Sequence, residues 1–194
     1  MLVAGACMAQ SHLVPITDYS EYEGRLGDYY STVYKYLQEA APEKAVVSMY
    51  VLPSLSPEYL VSVDYRDSLR AMLTLNRYRR NYWHTKDSTI DTVSVPISHQ
   101  LANQIIGLVQ THCRNTKVPE SERLGMDGTT YVFSAMIEDG TYCMGQVWSP
   151  EHKSLMHGLI AIPEVANDRL SKAKFKEKQL QKLVDLAMTG LQKL

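Results

Sequence analysis

The chain has 194 residues, 45% of them hydrophobic and 21% charged, which suits a single folded domain with a sizeable core. Its 20 Lys+Arg against 21 Asp+Glu leave a net charge of -1, so no global field draws in a nucleic acid backbone or an anionic membrane. No apolar run reaches the roughly 20 residues of a transmembrane segment, and 10 glycines and 8 prolines are too few for a disordered or fibrous chain.

Met1 to Ala9 are all apolar or small and precede Gln10, Ser11 and His12, like the end of a secretory hydrophobic region with Cys7-Met8-Ala9 as a small-x-small cleavage site. No basic stretch precedes them, so the alternative is a hydrophobic N-terminus that packs on the domain. The expectation is export, periplasmic or secreted, with residues 1–9 a signal-peptide remnant and residues 10–194 a single α+β domain. A lipoprotein anchored through Cys7 meets Ala4 where a Leu-like residue belongs.

Asp18 with Glu21 three residues later resembles a helix cap, but Gly24 and Gly27 interrupt the stretch, so the first helix is expected from Asp28. Tyr30, Val33, Tyr34, Leu37 and Ala41 recur there at three- and four-residue steps, and Pro42 stops the helix. Ala45 to Leu52, rich in β-branched residues and closed by Pro53, reads as a strand, and a second strand begins at Glu58. In it Tyr59, Val61, Val63 and Tyr65 alternate with less apolar positions. After a turn at Arg66 to Ser68, Leu69, Ala71, Leu73 and Leu75 alternate again, which predicts a hairpin, with a helix from Asp67 as the competing reading. Asp91, Val93, Val95 and Ile97 mark a further strand. Ser98 is placed to cap a helix through Asn115 carrying Leu101, Ile105, Leu108 and Val109, and a polar loop follows to Glu122. Asp127-Gly128 opens a strand from Thr129 to Ile137, Asp139-Gly140 turns the chain, and Thr141 to Trp148 returns. Helices are expected from about Lys153 to Ile162 and from about Ser171 to Leu194. The second turns Leu180, Leu183, Val184, Ala187 and Leu191 inward and Lys172, Lys174, Lys176 and Lys178 outward. Without regular strand-helix alternation, this order predicts an α+β fold, a mainly antiparallel sheet of about six strands packed against three to four helices.

Asp127-Gly128-Thr129-Thr130-Tyr131-Val132-Phe133 together with Gly145-Gln146-Val147-Trp148-Ser149-Pro150 resembles a segment of exported bacterial proteins of uncharacterised activity. The resemblance is confined to that stretch and brings no activity with it.

No site of chemistry declares itself by spacing. His152 and His157 are five apart, a helical separation of about 140° that splits them between faces, and no Cys-x-x-Cys exists, so no metal or cofactor is expected. Asp127 and Asp139 belong to Asp-Gly turns, where the carboxylate bonds the local backbone. The serines form no Gly-x-Ser-x-Gly elbow, no phosphate-binding glycine loop is present, and Cys143 lies inside a strand without a nameable base. Carboxylates such as Asp64, Glu138 and Asp139 could meet only through the fold. If Cys7 leaves or carries lipid, Cys113 and Cys143 remain as a candidate disulfide, the alternative being two reduced thiols.

There are 13 tyrosines against two phenylalanines and two tryptophans, clustered at Tyr29, Tyr30, Tyr34 and Tyr36 and again at Tyr78 and Tyr82 beside Trp83. Such rings seal a wet core edge or anchor a recognition surface. Arg77, Tyr78, Arg79, Arg80, Tyr82 and Trp83, with Trp148, form the candidate binding patch. Its plainest reading is a strand end whose arginines pair with local acids. Beyond that, a protein partner outranks a nucleic acid for a near-neutral chain. The expected function is an exported, non-enzymatic binding or accessory factor, of inhibitor or immunity type, that recognises a protein or envelope component. The rival is a small envelope hydrolase with a site of dispersed carboxylates and histidines.

Overall fold

The computed structural model describes residues 12–16, 24–43, 45–67, 70–118, 128–150 and 154–191. Among them, β1 (Ala45–Pro53), β2 (Tyr59–Tyr65), β3 (Ala71–Tyr78), β4 (Ile90–Ile97), β5 (Thr129–Met136) and β6 (Tyr142–Trp148) form one antiparallel sheet in the order β4-β3-β2-β1-β5-β6. Period-two alternation sorts side chains between its faces. On one face the pairings Leu73↔Val95, Val63↔Leu73, Val47↔Val63, Val47↔Ala135 and Ala135↔Cys143 align an apolar row across all six strands. α3 (His99–Arg114), α4 (Leu155–Leu170) and α5 (Glu177–Leu191) cover that face, burying Ile105, Leu108, Val109, Met156, Leu159, Ile162, Leu180 and Val184 against it. On the other face Tyr50, Leu52, Leu60, Tyr78 and Val132 meet Tyr29, Val33 and Leu37 of α1 (Arg25–Ala40). The result is the α+β sheet-and-helix architecture that the order of elements predicts, with one short helix, α2 (Tyr82–Thr85), that the sequence pattern does not show.

In the ambiguous stretch after Tyr65, Ala71–Tyr78 is strand, not helix, and Ser68 and Leu69 lie outside the described residues. Arg66 N donates to Arg70 O, and β3 then pairs along its whole length with β2. Leu73 and Leu75 therefore reach the core at a two-residue step, which outweighs the helix propensity of Leu and Met. α1 begins at Arg25 rather than Asp28 because Gly24, at φ 75°, takes the left-handed turn that launches it, and Gly27 stays inside the helix.

Two helix boundaries at the C-terminal end need correction. α4 does not stop at Ile162 but runs to Leu170 through Pro163, since Ala166 and Leu170 continue the seam of Leu159 and Ile162 against the sheet. α5 starts at Glu177 rather than Ser171. Residues 171–176 form the reversal between the helices, with Ala173 at φ 53° and Lys174 N bonded to Arg169 O. Lys172, Lys174 and Lys176 are thus exposed on a loop, and only Lys178 lies on the helix. The leader expected at residues 1–9, the cap expected at Asp18, Asp127 and His152 lie outside the described residues.

Residues 12–16 complete the β6 side of the sheet. Val14 and Gln146 exchange both backbone hydrogen bonds at 2.9 Å, and Lys117 N donates to Leu13 O at 2.9 Å. Leu13, 0% exposed, sits directly over Gly145, where an added Cβ would stand 2.8 Å from the Leu13 Cβ and 2.9 Å from the Thr116 hydroxyl. Gly145→Ala is expected to cost about 1–3 kcal/mol in urea unfolding, with Leu13→Ala in the same chain costing less than it does alone, because both substitutions act on one seat.

Candidate functional site

Strand alternation divides the arginine- and tyrosine-rich segment before any ligand is considered. Arg77 points to the α4 face of the sheet, whereas Tyr78 points to the α1 face and is 0% exposed. Tyr78 therefore supports the site from beneath instead of presenting a surface. Past the strand, Arg79 closes on Asp91 of β4 through Nε and Nη2, each at 2.9 Å, in a solvent-exposed pair worth about 1 kcal/mol or less. Arg80 is exposed. Trp148 lies on the same sheet face as Tyr78, but β3 and β6 are four strand spacings apart, about 19 Å, and its ring lies so close over Gly128 that a Cβ there would stand 2.7 Å from it. The fold thus gathers Tyr82 and Trp83 with Arg79 and Arg80 and leaves Trp148 apart.

α2 is organised by two buried polar side chains. Asn81 caps it, its Oδ1 accepting from His84 N at 3.2 Å, while its Nδ2 donates to Ser56 O at 2.8 Å and to Glu58 Oε1 at 3.3 Å. Glu58, just before β2 and 0% exposed, takes Tyr29 OH on Oε1 at 2.8 Å and Tyr82 N on Oε2 at 2.9 Å. Burying a carboxylate is tolerable only when donors replace its water, and these come from α1, from Asn81 and from the first residue of α2. Burial first, and then the charge of Glu58, pushes the Tyr29 and Tyr78 phenols well above the usual range, so both stay protonated.

On this base Trp83 stands half-buried, edge-on to Tyr29 at 5.1 Å, with the Arg25 guanidinium 5.9 Å and the Lys86 ammonium 5.2 Å from its ring centroid. Lys86 also lies 5.1 Å from the Tyr82 ring. Lys86 adopts φ 56° and returns its N–H to Tyr82 O, ending the helix so that its ammonium folds back over both rings. Two adjacent rings with cations beside them can receive an anionic or aromatic group of a partner. Nothing in the spacing of the sequence announces Glu58, Arg25 or Lys86; only Asn81, three residues before His84, carries a capping signal.

A second arrangement lies on the opposite face, where Tyr131, Glu164 and His157 line a cleft of about 310 Å³ with Thr129, Ser149 and Ile160. Tyr131 OH donates to Glu164 Oε1 at 2.5 Å, and burial keeps that phenol protonated, with Glu164 reinforcing the shift. Ser149, at φ 33°, accepts from Thr129 N at 2.8 Å. His157 and Glu164 are seven residues apart on α4, two turns and about 10 Å along its axis, so the carboxylate engages Tyr131 instead of orienting the imidazole. The other carboxylates named from the sequence are held elsewhere. Asp139 bonds Thr141 within the turn, Glu138 pairs with Arg114 at 3.3 Å, and Asp64 is buried on the α1 face of the sheet.

Among the described residues no group of three or more His, Cys, Asp or Glu is placed to hold a metal ion, and no helix is long and apolar enough to cross a membrane. Set against protein-family profiles, curated proteins and solved structures, the chain matches none. Its function is therefore read from its own geometry.

Glu58→Ala is expected to cost about 2–4 kcal/mol in urea unfolding, since it strands the Tyr29 hydroxyl and the Tyr82 N–H. His112 of α3 is 7% exposed, and desolvation lowers its pKa to about 4 from an ordinary value near 6.5. The unfolded chain protonates first as pH falls. The stability conferred by the neutral imidazole is complete above about pH 6.5 and is lost progressively toward pH 4, by about 3 kcal/mol in all. Urea unfolding followed across that window should lose this component of its slope in His112→Gln.

Proposed function

We propose that the protein is an exported binding factor, of inhibitor, immunity or accessory type, that recognises another protein or an envelope component through the face built on α2. What supports this reading is the placement of Trp83 beside both Arg25 and Lys86, and of Tyr82 beside Lys86, on the buried Glu58 network. Pre-positioned rings lose little freedom on binding, and Trp, Tyr and Arg are the side chains that dominate interface energetics. The cations favour a partner that presents carboxylates. Arg79, already closed on Asp91, sits at the rim, and Arg80 adds an exposed positive charge. Export is part of the same reading, with the mature chain starting at Gln10.

The test is capture of the tagged protein from the envelope and medium of its own cells, with intact mass read on the recovered chain and affinity measured for any stoichiometric companion. Trp83→Ala and Lys86→Glu are expected to weaken that complex about 30-fold or more, Trp148→Ala to leave it unchanged, and all three chains to melt cooperatively. Equal affinity for the wild type, Trp83→Ala and Lys86→Glu would remove this face from consideration.

The Tyr131–Glu164 pair opening on the cleft beside His157 favours a second reading, a small envelope hydrolase. Turnover of an ester, amide or glycoside by the purified chain, lost in Glu164→Gln with the fold intact, would put that reading first.

A further inference from the structure

Cys113 stands in the last turn of α3, and Cys143 lies on β6, in the strand row that faces this helix. Both thiols are free, and they are neighbours over β5, close enough for the charge of Cys143 to act on Cys113. Each also donates to a β5 carbonyl, Cys113 to Phe133 O at 3.6 Å and Cys143 to Ala135 O at 3.4 Å, so the two sulfurs sit above one stretch of the same strand. Cys113 is buried and Cys143 is partly open to solvent. Thr116, just past the helix, bonds Cys113 O through its hydroxyl at 2.6 Å and abuts Gly145, the floor on which Leu13 rests.

We propose that Cys113 and Cys143 form a dithiol clasp that closes by exchange with a small-molecule disulfide of the glutathione type, Cys143 reacting first and Cys113 resolving. The Cys143 thiolate attacks one sulfur of the disulfide, forming a mixed disulfide on Cys143 and releasing one thiolate. Cys113 then attacks the Cys143 sulfur, its proton passing to the thiolate already released, and the second small thiol leaves as a thiolate that takes up from water the proton Cys143 gave up. Two protein thiols are oxidised to one disulfide, and one small disulfide is reduced to two thiols. The order follows from access. Burial pushes the Cys113 thiol up, with the neighbouring Cys143 adding to the shift, so Cys113 stays protonated and shielded until the mixed disulfide lies against it. Closure ties the end of α3 to β6 across β5, beside the Gly145 and Thr116 seat of Leu13. The clasp does not depend on the binding reading of α2.

The experiment uses the full chain carrying Cys7→Ser, so that only this pair titrates, equilibrated in oxidised and in reduced glutathione. Denaturing alkylation with intact mass is expected to show the oxidised chain two hydrogens lighter with no free thiol. Its midpoint of thermal unfolding should lie about 10 °C above that of the reduced chain and revert with a dithiol reductant. In the same background Cys113→Ser should accumulate one glutathione on Cys143, while Cys143→Ser, kept folded, should take up none on Cys113. Two thiols persisting in oxidised glutathione would overturn the clasp, as would a bond that leaves the unfolding midpoint unchanged. Glutathionylation of Cys113 in the Cys143→Ser chain would overturn the proposed order.

Discussion

β1 is apolar on both of its faces, and the architecture follows from that constraint. Val47, Met49 and Val51 project to one side of the sheet and Tyr50 and Leu52 to the other. A sheet face left in water with such a strand at its centre would expose a contiguous apolar patch, so helices are required on both sides. The two covers are unequal. Three helices lie over the side where the strand rows stay apolar out to Val95 and Cys143, and among the described residues α1 is the one long helix on the other, with the short α2 at its edge, where Ser62, Thr74, Asn76 and Ser134 interrupt the rows.

The thinner cover explains why a carboxylate sits inside the molecule. α1 meets the sheet through tyrosines as well as aliphatic side chains, and the phenol of Tyr29 needs an acceptor once it is buried. Glu58 provides one and satisfies the first N–H of α2 with its other oxygen, so a single side chain binds a helix, the start of a strand and a turn together. Position and chemistry are coupled here. Whatever fixes α1 on the sheet also fixes the angle at which α2 offers Trp83 to solvent.

The periodic parts of this fold were legible in the residues. Tyr59, Val61, Val63 and Tyr65 alternate because the α4 side of β2 is wholly apolar, and Ser98 announces α3 because its hydroxyl does accept from Leu101 N. The Asp139-Gly140 turn is legible because its Asp accepts from Thr141 N and its Gly sits at φ 82°. Local signals fail where packing overrides them. Pro163 reads as a stop, yet Ala166 and Leu170 beyond it still find the core, and the Ser171 region carries helix-forming residues through a reversal set by α4 and α5 meeting at Gly158 and Ala187. The site was legible only as composition. Arg80, Tyr82 and Trp83 fall in one segment with Lys86, but Tyr29, Glu58 and Arg25, which also hold and flank the rings, lie 24 or more residues from Tyr82, and no pattern within the segment encodes them.

The excess of tyrosine over phenylalanine bears on how the core edge and the recognition face relate. In a layer covered by one helix, a ring is seldom far from water or from a buried acceptor, and a hydroxyl lets it take either. Tyr29 ends on Glu58 and Tyr142 on Ala45 O at 3.0 Å, and on the opposite face Tyr131 ends on Glu164, each ring filling core or rim volume while its hydroxyl fixes a neighbouring element. Phenylalanine at these places would fill the same volume and leave the acceptors unmet. The wet edge of the core and the proposed binding face therefore share one construction at Glu58. The carboxylate that receives the Tyr29 hydroxyl also receives the Tyr82 N–H, so the bond that steadies the tyrosine edge steadies α2 as well.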